Sequence, residues 1–167
     1  MNSESYPTYF HPYISKIPDG DPIQLLEIGI KETLSTLVMV TEEKANFSYA
    51  KGKWSIKDIV QHLIDTERIF TYRALAIARG ESVELIGYDH EAYVREANAD
   101  SRSLKTLLEE YKRLRLSTID LFSSFSKEVF KKRGNANGME ISVEQLQYIL
   151  IGHELHHLWV IQQKYLV

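Results

Sequence analysis

All four prolines of this chain lie within its first 22 residues, at Pro7, Pro12, Pro18 and Pro22. Proline interrupts helices more strongly than any other residue, so nothing in the rest of the 167-residue chain forces its helices to be short. The first 20 residues are instead predicted to form an extended arm that lies across the domain and packs through its aromatic side chains. The proline distribution therefore favours long helices after residue 21.

Four long helical segments are predicted after the arm. Each begins at a capping residue and repeats apolar side chains every three or four positions. The segments are expected to run from Asp21 to about Ala45, from Ser55 to near Gly80, from about Ser103 through Phe125, and from Ser142 almost to Val167. No strand pattern separates them, and residues 133–138 have turn chemistry. The sequence therefore predicts an all-α four-helix bundle that forms a single domain over residues 1–167.

The connection between the second and third segments is about twenty residues long, from Gly80 to Asp100. This length exceeds what a simple connection between neighbouring helices requires. The segment is expected to carry a short helix, to cross over the bundle or to cover a site.

Composition excludes several classes of function. The chain carries 20 basic and 23 acidic residues, a net charge of −3, and has no basic block that would neutralise the phosphates of a nucleic acid. The absence of cysteine excludes disulfides, thiolate metal sites and a cysteine nucleophile. No apolar run has the roughly 18 residues needed to span a membrane, and no secretion signal is recognisable. A cytoplasmic protein without membrane or nucleic-acid partners is expected.

Three of the six histidines cluster in the fourth segment, at His153, His156 and His157. On a helix, His153 and His157 lie one turn apart and differ by about 40° around the axis, so their rings can reach one metal ion. Both fall within the apolar stripe of this helix, whereas His156 lies toward its edge. A buried histidine is more often a hydrogen-bonded core residue than a ligand. Two such residues in successive turns require either a polar network or a cation.

His62 in the second segment lies among the residues of that helix's buried stripe. If its depth in the bundle matches that of His153 and His157, three neutral nitrogen ligands converge. A site of three histidines with open positions is typical of a catalytic metal site rather than a structural one. Whether the depths match depends on the connectivity of the helices.

The segment His153–His157 also satisfies the H-E-x-x-H pattern, in which Glu154 would be the general base of a zinc protease. Such enzymes take a third ligand from further along the chain, but residues 158–167 contain no His, Asp or Glu. The protease interpretation is therefore disfavoured, and Glu154 is expected to face solvent or a neighbouring helix.

Two stretches of the sequence resemble the DinB-like (DinB/YfiT) superfamily. The first is Trp54–Arg68 with its continuation Tyr72–Glu81, and the second is Gly152–His157. The resemblance extends from about Asp21 to Tyr165. It implies a bundle of up-down-down-up connectivity, often assembled as a homodimer. It also implies a divalent metal ion, commonly nickel or zinc, held by His62, His153 and His157.

The same resemblance implies a metal-dependent enzyme that acts on a small molecule. Some members of the superfamily are metal-dependent hydrolases, and others transfer or use low-molecular-weight thiols. A bound metal serves either reaction, because it activates a coordinated water or thiol at neutral pH. The alternative is a non-catalytic bundle that keeps the metal for binding or dimerisation. An open ligand position reached by a pocket would favour the enzyme.

Further polar residues are candidates for substrate binding. Arg73 lies three turns beyond His62 on nearly the same line, where it would hold an anionic group or pair with an acid such as Glu110. Tyr88 belongs to the long connection and is a candidate pocket wall. Asp65, one turn from His62, is a candidate for orienting a metal ligand, and an exposed capping or ion-pair role is the alternative. His90 and His11 are expected at the surface.

Overall fold

Four long helices dominate the computed structural model, which describes residues 3–166. The helices and strands are α1 His11–Ile14, α2 Pro22–Leu37, α3 Glu42–Asn46, α4 Ile56–Arg79, α5 His90–Ala97, α6 Leu104–Ser123, α7 Lys127–Phe130, β1 Arg133–Ala136, β2 Met139–Ser142 and α8 Val143–Lys164. Short 3-10 turns span Ser3–Ser5, Thr8–Phe10 and Ala99–Ser101. Among these described helices, none combines the length and the apolar character that a membrane span requires.

The predicted boundaries of the second and fourth segments are confirmed by their caps. Ser55 and Ser142 each accept a hydrogen bond from the backbone three residues on, and each forms a full capping box. Gly80 ends α4 with φ of 88°, a left-handed conformation that glycine adopts without strain.

The first segment is shorter than predicted. It was expected to reach Ala45 as one helix, but α2 ends at Leu37 and a separate helix, α3, begins after Thr41. The stretch between them is rich in β-branched residues, which favour helices weakly. The Thr41 side chain then accepts a hydrogen bond from Lys44 N and starts α3.

The arm crosses the domain as predicted, but it is not extended. It folds into short helical turns, of which α1 packs directly on α8. A Cβ atom at Gly152 would lie 2.5 Å from the Tyr13 carbonyl oxygen, so this approach depends on a glycine. Phe10 and Ile14 are buried in the core, which explains why the segment folds onto the bundle.

The four long helices have the up-down-down-up connectivity that the family resemblance implied. α2 and α4 each pack between α6 and α8, so α2 lies diagonally across from α4 and α6 lies diagonally across from α8, whereas α4 and α6 are neighbours. The Tyr165 hydroxyl at the end of α8 donates to the Trp54 carbonyl before α4, so these two helices are antiparallel. Glu42 accepts from Leu104 N and pairs with Lys57, which places the starts of α4 and α6 side by side.

A β-hairpin precedes α8 where the sequence indicated only a turn. Strands β1 and β2 pair antiparallel around Asn137 and Gly138, both with positive φ, as two-residue hairpin loops require. The hairpin also binds the long connection, because Leu85 N donates to the Asn135 carbonyl and Asn137 N donates to the Leu85 carbonyl. The long connection is thereby held against the bundle.

The core contains a network of buried charged side chains, Arg115, Glu67 and Glu154. Arg115 on α6 has no exposed surface, and all five of its N–H groups have acceptors. It donates twice to Glu67 on α4, at 2.9 and 2.8 Å, and once to Glu154 on α8, at 2.5 Å. Its remaining donors go to the Leu26 carbonyl on α2 and to the Tyr111 hydroxyl. One side chain therefore joins all four long helices.

The charges of this network depend on one another. Burial alone lowers the pKa of Arg115, but the carboxylates of Glu154 and Glu67 outweigh burial and hold that pKa well above its usual value. Thr33 on α2 donates a further hydrogen bond to Glu154 at 2.9 Å. Removing the cation would leave two buried carboxylates without their counter-charge.

We expect the substitution Arg115→Met to lower the free energy of unfolding by about 3–5 kcal/mol, the cost of breaking a buried ion pair from one side. Urea denaturation measures this change. Arg113→Met is the matched control, because Arg113 is exposed on the same helix, and its effect should stay within about 0.5 kcal/mol. Similar stabilities of the two variants would contradict the structural role of Arg115.

Gly29 is the point at which α2 approaches this network. A Cβ atom there would lie 2.3 Å from Glu154 Oε2, whose position is held by Arg115. Alanine usually stabilises a helix interior by about 1 kcal/mol relative to glycine. Here we expect Gly29→Ala to destabilise the protein by about 1–3 kcal/mol through overpacking, as measured by thermal unfolding. The exposed Glu27→Ala on α2 should be nearly neutral, and a stabilised Gly29→Ala would refute the contact.

Candidate metal centre

The three histidines expected to act together lie side by side in the structure. His62 Nε2 on α4 lies 3.0 Å from His153 Nε2 on α8, and His157 Nε2 lies 3.1 Å from the same atom. One ligand nitrogen from each ring lies within 4.8 Å of the other two. The antiparallel packing of α4 and α8 therefore brings the two motifs to the same depth, which the sequence alone left open.

The surroundings keep these rings uncharged. Burial and, to a lesser degree, the nearby His90 lower the pKa of His62 from 6.5 to about 4. The pKa values of His153 and His157 lie well below the usual value, mainly because of burial and also because the neighbouring histidines oppose a positive charge. Neutral imidazole is the form that binds a metal, so the three rings are in the ligand form at neutral pH.

The spacing of the nitrogens fits one metal ion. Two nitrogens bound to one ion at about 2.1 Å lie roughly 3.0 Å apart at a right angle and roughly 3.4 Å apart at a tetrahedral angle. The two Nε2 separations from His153, 3.0 and 3.1 Å, fall at this spacing. Three imidazoles without thiolate or carboxylate suit zinc, nickel, copper or iron. Both the chemistry and the spacing of the three nitrogens therefore fit a single ion of this kind.

Aromatic rings and hydroxyls orient the three histidines. The Trp54 ring lies 4.8 Å from that of His62 and stacks at 6.2 Å on that of His157, while the Tyr13 ring meets His153 edge-on at 5.4 Å. The Thr66 hydroxyl lies 3.5 Å from His62 Nδ1, a long contact.

Thr66 was not predicted as a neighbour of His62, and Asp65 takes its alternative role, an ion pair, rather than orienting a ligand. Asp65 accepts a hydrogen bond from Gln61 at 2.9 Å and lies 3.7 Å from Arg68, and it forms no hydrogen bond with His62. Thr66 follows His62 by four positions, one helical turn, so that spacing is the signal that could have identified it.

A cavity of about 570 Å³ opens next to the three histidines. Its walls come from the arm, from α4 and α8, from the long connection and from the hairpin. The lining residues are Tyr9, Phe10, Tyr13, Trp54, His62, Thr66, Phe70, Arg73, Gly87, Tyr88, His90, Asn137, Met139, Ile149, Leu150, His153 and His157. The long connection carries a short helix, α5, and covers this cavity. Both features were among the three that its length predicted.

Both residues suggested for substrate binding line this cavity. Tyr88 shares a hydrogen bond of 2.8 Å with Thr66, and burial raises its pKa, so its hydroxyl keeps its proton. Arg73 does not pair with Glu110, which binds Arg68 and Arg102 instead. The Arg73 guanidinium donates to the Ile86 carbonyl at 2.7 Å and lies over the Phe70 ring.

The remaining histidines differ in their distance from the site. His90, expected at the surface, is half-exposed but also lines the cavity, with its ring 6.0 Å from that of His62. His156 lies at the edge of the stripe, as expected, against the Tyr13 ring. His11 lies outside the cavity and contacts the Tyr6 carbonyl at 2.9 Å.

Glu154 does not face solvent, which was one of its two expected environments. It is buried and faces the neighbouring helices α2 and α6, where Thr33 and Arg115 occupy its oxygens. A carboxylate held in this way is not available as the general base of a protease. The structure therefore agrees with the rejection of the H-E-x-x-H interpretation.

Comparison with known proteins identifies the family. The family model of the DinB superfamily matches residues 25–161. Since this match covers most of the chain, the protein belongs to the DinB superfamily, and the resemblance carried by its two histidine motifs is confirmed.

A solved structure supports the fold. YfiT from Bacillus subtilis, described as a probable metal-dependent hydrolase with an unusual four-helix bundle topology, is similar with a TM-score of 0.77. The two sequences are 19% identical, and the match covers 88% of this chain and 90% of that chain. At this identity the likeness establishes the four-helix bundle fold. No curated protein shows significant similarity to this chain.

The lowered pKa values predict how the stability of the metal-free protein depends on pH. Below about pH 6.5 the three histidines take up protons in the unfolded chain but stay neutral in the folded protein. The free energy of unfolding should therefore fall as the pH drops from 6.5 to 5. Each buried histidine contributes at most about 1.4 kcal/mol per pH unit. Urea denaturation of the chelator-treated protein measures the slope, and His62→Gln should reduce it. A stability that stays constant or rises over this range would contradict the burial of neutral rings.

Proposed function

We propose that His62, His153 and His157 hold one divalent metal ion, nickel or zinc, and that the protein is a metal-dependent enzyme acting on a small electrophilic substrate. The observation that carries the proposal is the convergence of ring nitrogens from two buried histidines, His62 and His153, and the half-buried His157 on the wall of a cavity. Membership of the DinB superfamily supports it, as does the description of YfiT as a probable metal-dependent hydrolase.

The cavity favours an enzyme over a bundle that binds metal only for structure or dimerisation. A structural site has its ligand positions filled by protein groups. Here all three histidines line a cavity of about 570 Å³, which is large enough for a small organic molecule.

The residues around the site have distinct roles in this proposal. When bound, a divalent ion supplies a Lewis acid that lowers the pKa of a coordinated water or low-molecular-weight thiol. Thr66 and Tyr88 place hydroxyl groups on the cavity wall, where they can orient a substrate by hydrogen bonds. His90 is half-exposed beside His62, so its ring can offer a hydrogen bond to a substrate in the cavity. Trp54 and Tyr13 pack against the histidine rings and limit their movement.

The proposal predicts the metal content of the protein and of single-histidine variants. Untagged protein loaded with zinc or nickel and then dialysed should hold about one ion per chain by elemental analysis. His62→Ala, His153→Ala and His157→Ala should each lose most of the metal while circular dichroism shows an intact helical fold. His90→Ala is the matched control and should keep the metal, because His90 lines the same cavity outside the three-nitrogen cluster.

Activity assays on the loaded protein then separate the two chemistries. Hydrolysis of activated small esters and amides would indicate water as the nucleophile. Product formation that requires an added low-molecular-weight thiol would indicate a transferase. An absence of metal in the wild type after loading would contradict the proposal, as would metal that remains in all three histidine variants. Metal binding without either activity would favour the non-catalytic bundle.

A further inference from the structure

Arg73 is a buried cation without an acidic partner. Its exposed fraction is 6%, yet it forms no ion pair with any Asp or Glu among residues 3–166. Within the part of the chain that the structure describes, the guanidinium donates one hydrogen bond, to the Ile86 carbonyl at 2.7 Å, and it lies over the Phe70 ring. A buried charge is normally paired, because the loss of hydration is costly. The other buried arginine of α4 to α8, Arg115, is paired with two carboxylates, whereas Arg73 is paired with none.

The cavity that Arg73 lines is also free of acidic groups. Not one of its 17 lining residues is an Asp or a Glu. The polar groups that share the wall with Arg73 are the hydroxyls of tyrosines and Thr66, the Asn137 amide and the imidazoles. Burial lowers the pKa of Arg73, and the Tyr88 phenol opposes this in part. The cavity therefore has a positive charge at the arginine, and a metal ion at the histidines would add to it.

From this arrangement we infer that Arg73 is the binding site for a carboxylate group of the substrate, whose apolar body lies between Arg73 and the three histidines. The inference rests on the proposed function for the reaction and adds the chemical class of the substrate. A guanidinium matches the two oxygens of a carboxylate through paired N–H donors, and a single arginine balances a single negative charge. The apolar wall formed by Phe10, Phe70, Ile149 and Leu150 suits a hydrocarbon or aryl body.

The helix sets the length of such a substrate. Positions 62 and 73 of α4 are about 16 Å apart along the helix axis, and a long side chain leans back toward the N-terminus by several ångströms. The guanidinium and the imidazoles thus mark two parts of one cavity, separated by roughly the length of a small organic acid. A carboxylate at Arg73 would leave the other end of the molecule near the histidines.

A matched pair of probes tests the inference. The dissociation constants of 4-phenylbutanoate and its amide, 4-phenylbutanamide, are measured by calorimetry with metal-free full-length protein, so that the acid cannot bind to an ion. The wild type should bind the acid at least about tenfold more tightly than the amide. Arg73→Gln, which keeps a donor for Ile86 O, should bind the two probes equally, and Arg73→Lys should keep part of the preference. Arg79→Gln, at an exposed arginine outside the cavity on the same helix, should behave as the wild type.

Three results would overturn the inference: equal affinity of the wild type for the two probes, no binding of the acid at millimolar concentration, or a preference that survives in Arg73→Gln. If Arg73→Gln fails to fold, the ratio of the two dissociation constants in the wild type and in Arg73→Lys still tests the inference. Zinc binding is measured on the same samples, so the two hypotheses fail separately. Zinc bound without a preference for the acid refutes the carboxylate site alone, whereas a preference that depends on Arg73 without zinc binding refutes the metal centre alone.

Discussion

The contacts of Arg115 determine how the four long helices are placed against one another. Its guanidinium binds Glu67 on α4 and Glu154 on α8 and also donates to the α2 backbone, and every donor is used. Apolar packing tolerates small shifts of one helix along another, but a fully satisfied buried ion pair does not, because any shift leaves a charge without its partner. The network therefore restricts the sliding of one helix along another more strongly than apolar packing does.

The metal ligands depend on this placement because they lie beside the network in the sequence. His153 directly precedes Glu154, and His62 lies five positions before Glu67. Once α4 and α8 are held through Arg115, the Nε2 atoms of His62 and His153 lie 3.0 Å apart. The same region needs close backbone contacts, since Gly29 leaves room for Glu154 and Gly152 leaves room for the arm. The hairpin then completes the cavity by holding the long connection through Leu85.

Much of the fold was predictable from local signals. The capping residues Ser55 and Ser142 gave the starts of α4 and α8, because a side-chain cap acts within four residues. The break after Leu37 was not predictable, since no proline or glycine marks it. The hairpin was missed because its strands have only four residues each and show little alternation.

The site was predictable only for ligands that lie on the same helix, because their spacing in the sequence fixes their relative positions. The spacing of His153 and His157 predicted a shared face, but adding His62 required the connectivity of the bundle or the family resemblance. The partners of Glu154 could not be foreseen, because Thr33 and Arg115 lie 121 and 39 positions away in the chain. Long-range charge pairs of this kind leave no periodic signal.

X-ray absorption spectroscopy of the zinc- or nickel-loaded protein is the sharpest test of the three-histidine centre, because it counts the imidazoles bound to the ion. A first shell of nitrogen and oxygen at about 2.0–2.1 Å is expected in the wild type, with outer-shell scattering from three imidazole rings. His62→Ala should lose most of the metal, and the ion that remains bound should show at most two imidazoles. A spectrum with fewer than three imidazoles in the wild type, or one that is unchanged in His62→Ala, would contradict the three-histidine centre.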